Sequence, residues 1–197
     1  MRDYNPMLSF GEEVAALYDE PRGDETDAVR FLARRAGDGR ALELAVGTGR
    51  IALPLAAAGV AVEHIDLSEA MVARLRSKPG GEALSVTIGD FVDVPVEGSY
   101  RLVYIVDNTL FNLLTQDDQM RCVENVAAQL QEESHVAITP GGVRLHPIVT
   151  RYIWPSELDL MARIAGLRLV DRFGGWNGEP FTPDSRLHVS VYGRKGA

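Results

Sequence analysis

The stretch that most constrains this chain is Ala41 to Gly59, ALELAVGTGRIALPLAAAG. It predicts a short apolar strand over Ala41 to Ala45, a glycine turn over Val46 to Gly49, and a helix opening near Arg50 and running to Gly59. A strand that turns on glycines and feeds a helix leaves backbone N–H groups and the positive end of a helix dipole facing an open crevice, which suits a bound carboxylate or phosphate. Alone, the glycine pattern decides little. With 19 glycines in 197 residues, and alanine allowed in the last place, G-x-G-x-x-[GA] arises by chance roughly once in two such chains. Its weight comes from the strand before it, the helix after it and an acid at the right distance downstream.

That acid is Asp66. Val60 to Asp66 reads as a second strand, and Ser68 as the N-cap of a helix through about Arg76 with Met71, Val72 and Leu75 inward. Asp66 lies 17 residues beyond Gly49. In a right-handed βαβ unit its strand end faces the same crevice as the glycine turn, where a carboxylate can accept from a ribose diol. Leu84 to Ile88 is a third strand, running into Gly89-Asp90-Phe91: an acid able to accept from an adenine amino group, beside a ring able to pack on the base. Tyr100 to Val106 is a fourth, apolar enough for the middle of a parallel sheet, and it ends in Asp107-Asn108-Thr109. Thr115 caps a helix from Gln116 to about Gln131, with Val123, Val126, Ala127 and Leu130 inward; Cys122 flanks that stripe and reads as inert packing. With acids at four successive strand ends (Glu43, Asp66, Asp90 and Asp107), the expected fold class is α/β. We expect a doubly wound, Rossmann-like, mostly parallel sheet with an adenosine-containing cofactor across its carboxyl edge.

The flanks are simpler. Glu12 to Tyr18 predicts a short helix, with Tyr18 either a packing aromatic or a lid residue, and Thr26 to Ala36 an amphipathic one stopped by Gly37. Trp154-Pro155-Ser156 opens a helix through about Ala165. Leu167 to Phe173 and Leu187 to Tyr192 predict a closing antiparallel hairpin, with Trp176 and Phe181 in its long loop. The net charge of -8 argues against nucleic acid or an anionic membrane surface as partner, because phosphate binding needs a basic footprint. The N-terminus lacks an apolar signal core, the longest apolar run is broken by Pro54 and Gly59, and a single cysteine excludes an internal disulfide. A cytoplasmic protein acting on small molecules is the expectation; the oligomeric state is left open.

Four segments in order resemble the class I S-adenosylmethionine-dependent methyltransferase family, small-molecule branch. ELAVGTGR resembles its first motif, VEHIDLSEAM the second, IGDFVDVP the third, and YRLVYIVDNTLFNLLTQDDQ the region after the fourth strand. The likeness covers about Tyr18 to Leu130 and resumes over Trp154 to Tyr192. It implies S-adenosyl-L-methionine as cofactor and methyl transfer to an oxygen or nitrogen of a small-molecule acceptor by in-line displacement, with no metal or covalent nucleophile required. By the same resemblance, Glu43 orients the methionine amino group, and Gly47 and Gly49 let the backbone approach the cofactor. Asp66 takes the ribose hydroxyls with Leu67 beside the adenine, Asp90 and Phe91 read the adenine, and Val106, Asp107 and Asn108 line the floor beneath the sulfonium. Tyr18 reaches the cofactor carboxylate; Ala45, standing where an initial glycine is usual, and Met71 complete the expected set. No catalytic residue stands out. His146, His135 and Tyr18 are the candidates for a general base. The rival readings are an NAD-dependent oxidoreductase, which shares the glycine turn and distal acid, and a non-catalytic S-adenosylmethionine-binding module.

The resemblance has two departures. His64 stands where a small residue is usual. In LQEESHVAITPGGVRLHP a strand precedes Pro140-Gly141-Gly142, where the family places that turn before its fifth strand. This order predicts that a segment between about Leu130 and His135 has been lost. The expected division of the single domain, residues 1–197, is therefore a lid over 1–23, a cofactor-binding core over 24–130, an incomplete cap remnant over 131–153, and a closing helix and hairpin over 154–197.

Overall fold

A computed structural model of the chain describes residues 10–19, 24–138 and 150–194. In chain order the elements are α1 (Glu12–Tyr18), α2 (Thr26–Ala36), β1 (Ala41–Leu44), α3 (Ala52–Ala57), β2 (Val62–Asp66), α4 (Glu69–Arg76), β3 (Ser85–Ile88), β4 (Tyr100–Ile105), α5 (Gln116–Gln129), β5 (Leu130–Ile138), α6 (Pro155–Ile164), β6 (Leu167–Phe173) and β7 (Val189–Arg194). All seven strands join one sheet in the order β3-β2-β1-β4-β5-β7-β6. Neighbours from β3 to β5 pair parallel, and β7 pairs antiparallel with both β5 and β6. The reversal of order beside β1 opens a crevice at the carboxyl edge between β1 and β4.

The alternation of side chains along the central strands builds a core on each face. Leu42, Leu44, Val103 and Ile105 pack with Cys122, Val123 and Val126 of α5 and with Leu158 and Met161 of α6. Ala41, Leu102 and Tyr104 pack on the opposite face with Phe31 and Leu32 of α2 and Leu55 of α3. Helix starts follow their predicted caps: Ser68 Oγ accepts from the Met71 N–H at 3.1 Å and Thr115 Oγ1 from the Asp118 N–H at 3.0 Å. Cys122 is the packing residue expected; its thiol is pushed up to about 12 by burial and then by nearby Asp90. Trp176 meets Phe31 edge-on at 5.4 Å, so the long hairpin loop is held down by its own aromatic. Among the described residues no helix is long and apolar enough to cross a membrane.

One expectation is overturned. Residues 131–138, assigned to a cap remnant beside a lost segment, belong to β5, parallel to β4. The chain passes from the end of α5 into the strand without a loop, Leu130 already having the extended ψ of 139°. Leu130 stands opposite Tyr100 and His135 opposite Leu102, so five steps along β5 match two along β4, and a bulge absorbs the difference. The physical reason is that β4 is buried on both faces, and its outer row of N–H and C=O groups requires a partner strand; the first extended segment after α5 supplies it. Pro140, Gly141, Gly142 and His146 lie outside the described residues.

On the far side of the sheet, Arg172 of β6 donates to both Asp159 oxygens (2.5 and 3.2 Å), to Ser190 Oγ (2.9 Å) and to the Tyr192 hydroxyl (3.1 Å), while that hydroxyl donates to Asp159 Oδ1 at 2.6 Å. The network ties α6 to the antiparallel strands. Replacing Asp159 with Ala removes the only carboxylate in it and leaves a largely buried guanidinium without an anion, so urea unfolding should show a loss of about 1–3 kcal/mol.

Candidate functional site

The glycine turn follows β1 as the sequence predicts, and its backbone explains the residue choice. Gly47 and Gly49 have φ of +57° and +81°, a region that glycine enters without strain. A methyl on Gly49 would also lie 2.5 Å from Leu75 Cδ1. Ala45 takes φ +59° without being glycine, so the turn stores some strain at its first step. Asp66, at the end of β2, points into the turn: its Oδ2 accepts from the Gly47 N–H at 2.6 Å and its Oδ1 from the Ser68 N–H at 2.8 Å. It is 6% exposed, and burial raises its carboxyl against those two bonds. Two anchored oxygens still hold lone pairs for further hydroxyl donors.

A second layer closes over the turn. Tyr18 Cε1 lies 3.8 Å from where a Gly47 Cβ would stand, which places the tyrosine at the bend. Asp19 accepts from Thr48 Oγ1 (2.5 Å), Lys78 Nζ (2.6 Å) and Arg74 Nε (2.9 Å), and Ser68 Oγ donates to the Phe10 carbonyl at 2.6 Å. Burial raises the Asp19 carboxyl, but the Lys78, Thr48 and Arg74 hydrogen bonds outweigh it and hold the group below its usual range. Arg50, which the sequence reading passed over, bridges Glu25 at the start of α2 and Asp107 at the end of β4. Its place directly after the G-x-G turn, before a strand-end acid, was the signal available. Asp107 has φ +56°.

The other expected site residues fall into two groups. Leu67 is half-buried after Asp66, Met71 is buried in α4, and Asp107 and Asn108 are half-buried at the β4 end, all on elements that converge on the crevice. Val106 is buried with the α2-side core. Asp90 is exposed and turns one oxygen to the Val92 N–H of its own turn at 2.9 Å, and Phe91 packs in the α5-side core with 8% exposure. These two therefore do not share the bend in the way Asp66 does. His135 sits in β5 opposite Leu102.

Glu43 is the electrostatic outlier. It is 1% exposed, and its carboxyl is raised to about 8 by burial, with Asp66 and Asp107 adding to the rise and the Tyr104 hydrogen bond opposing it. A buried acid beside two more acids, without a cation in contact among the described residues, is a ready counter-charge for a cationic ligand.

Comparison with known proteins agrees with this geometry. A family model described as "Methyltransferase domain" matches residues 41–133. The CcbJ methyltransferase of Streptomyces caelestis is 31% identical, covers 98% of this chain and 100% of its own, and superposes with a TM-score of 0.87. The chain belongs to the class I S-adenosylmethionine-dependent methyltransferase family. This methyltransferase is also 24% identical over 241 residues to the cypemycin N-terminal methyltransferase of a Streptomyces species, taking in 91% of this chain and 98% of that one. Since 91% of 197 residues is about 179, roughly 60 aligned positions have no residue here. The glycopeptide N-methyltransferase MtfA, solved with S-adenosylmethionine, shares the fold at 18% identity and a TM-score of 0.70 over 88% of this chain and 96% of its own. The nicotinamide and non-catalytic readings are corrected accordingly: the protein is an S-adenosylmethionine-dependent methyltransferase. Its residues fit that cofactor, with a bend shaped for close approach at Gly47 and Gly49, an anchored acid for hydroxyls at Asp66, and a buried uncompensated acid at Glu43.

The raised Glu43 carboxyl has a consequence for stability. Below about pH 4.5 the group is neutral folded and unfolded, and it contributes nothing to the pH dependence. From there to about pH 8 the unfolded chain ionises while the folded protein keeps the proton, so stability falls as pH rises. Relative to Glu43→Gln, the wild type should lose on the order of a few kcal/mol between pH 5 and 8, read by urea unfolding across that range without cofactor.

Proposed function

We propose that this methyltransferase transfers the methyl group to an oxygen or nitrogen of a small-molecule acceptor, by in-line displacement at the crevice between β1 and β4. The observation that carries the placement is the Asp66 carboxylate anchored on the Gly47 N–H, which joins the glycine turn and the distal acid in one slot. In this reading Gly47 and Gly49 give the cofactor's carboxylate end access to the backbone, and Tyr18 covers it. Glu43 faces the methionine ammonium, and Asp66 accepts from the ribose hydroxyls. Ala45, Leu67, Met71, Asp90 and Phe91 flank the nucleoside, and Val106, Asp107 and Asn108 form the floor beneath the sulfonium.

S-adenosylmethionine supplies a methyl group already activated by its positive sulfur. What the chain must add is alignment of the acceptor lone pair and exclusion of water, effects worth up to roughly 7–11 kcal/mol in favourable cases. Arg50 fixes Asp107, and Asp19 holds the lid segment over the turn; both serve that alignment. An acceptor that carries a proton needs somewhere to lose it, and Tyr18 is the described candidate nearest the bend. Support for the acceptor class comes from the relatives' names, which cite the N-terminus of cypemycin, a glycopeptide nitrogen and, at 16% identity, the 7-oxygen of mitomycin.

Calorimetry should show S-adenosylmethionine binding and NAD failing to bind. Asp66→Ala should weaken the cofactor by about 100-fold or more, through loss of two charge-assisted hydrogen bonds of roughly 1.5–3 kcal/mol each. An acceptor panel of amines, phenols and short peptides read by mass spectrometry should show a single methyl transferred to a small molecule; transfer only to a folded protein or nucleic acid overturns the acceptor class.

A further inference from the structure

His64 is the residue that the site so far leaves without a task. Glu43 of β1 stands in register with His64 of β2 on one side and with Tyr104 of β4 on the other. The three side chains share one face of the sheet and are 1%, 1% and 0% exposed. Tyr104 donates to Glu43 Oε2 at 3.0 Å. The His64 ring places Nδ1 2.9 Å from the Ser85 carbonyl of β3; a carbonyl only accepts, so Nδ1 carries the hydrogen. Nε2 is then a bare lone pair. It lies 3.8 Å from Glu43 Oε2 and has no hydrogen-bond partner among the described residues, in a side chain with 0% exposure.

An orphaned lone pair aimed at a carboxyl discriminates between that carboxyl's two states. An ionised Glu43 would face the lone pair with a second negative site, whereas a protonated one can offer it an O–H after a small approach. The surroundings push the same way. Asp66 from β2 and Asp107 from the end of β4 both oppose a charge on Glu43, and Tyr104 of β4 donates to it. His64 is itself held neutral, chiefly by burial and also by Arg76 of α4, against the Ser85 contact and Glu63. The helices over this face add Phe31, Leu32 and Leu55, all apolar.

We infer that His64 is a positioning residue that holds Glu43 in its neutral form until a cation enters the crevice, so that cofactor binding expels one proton. The inference rests on the reading above that Glu43 faces the cofactor's ammonium group. The balance is simple: the Glu43 O–H bond breaks, its proton leaves to solvent, and the carboxylate formed meets the incoming N–H donors. Affinity therefore rises with pH, by up to tenfold per unit, until Glu43 is already ionised in the free protein at about pH 8. Replacing His64 with Leu removes the acceptor that favours the neutral form and moves that rise to lower pH.

The test uses S-adenosylhomocysteine, which keeps the ammonium, and adenosine, which lacks it. Titration calorimetry at pH 6.5 in two buffers of different ionisation heat should show close to one proton released with the first and none with the second. Between pH 6.0 and 7.5 the wild-type affinity for S-adenosylhomocysteine should rise roughly 25-fold. His64→Leu should bind several-fold more tightly than wild type at pH 6.0 and show a flatter profile. A merely structural histidine would instead weaken binding equally at every pH. Binding without proton release, or a His64→Leu profile parallel to wild type, overturns the inference and leaves the site intact. Failure of both ligands to bind the wild type overturns the site reading itself.

Discussion

The hydrogen bond from the Gly47 N–H to Asp66 is the contact on which the working end of the molecule depends. It joins the loop leaving one strand to the last residue of the next, so that two βα junctions are held as a single rigid edge. The same carboxylate also takes the Ser68 N–H, and Ser68 in turn starts α4. One buried acid thus fixes the bend, ends a strand and begins a helix. Moving it would alter all three, which is why its low exposure matters more than its charge alone.

Most of this edge was legible in the sequence. The apolar central strands, the caps Ser68 and Thr115 and the closing hairpin follow from local rules, and the structure places those elements within a residue or two of the predicted bounds. Asp66 was legible because its distance from Gly49 fixes where a right-handed crossover brings it. Asp90 and Phe91 read equally well in the sequence, and in the structure Asp90 accepts from its own turn while Phe91 packs on the core. A strand-end acid can satisfy a nearby N–H as well as a ligand, and spacing does not separate the two.

What the sequence hid lies in contacts between distant segments. Arg50 joins residues 25 and 107, and Asp19 gathers partners from positions 48, 74 and 78, all far from it in sequence. The fifth strand was missed for a different reason. The family's usual order of turn and strand suggested a cap remnant, whereas a buried strand edge demands pairing whatever the order. The alignment with the cypemycin N-terminal methyltransferase does run some tens of positions longer, yet the described sheet lacks no neighbour beside β4.

The sheet order has a consequence for how the protein is made. β7, at residues 189–194, lies between β5 and β6 rather than at a margin. During synthesis the strands on either side of it emerge first and must wait, their facing backbone groups solvated, until residues 189–194 have also cleared the ribosome. The keystone is thus translated after both of its neighbours, and a nascent chain arrested before residue 189 would carry two unzipped margins inside what should be its interior.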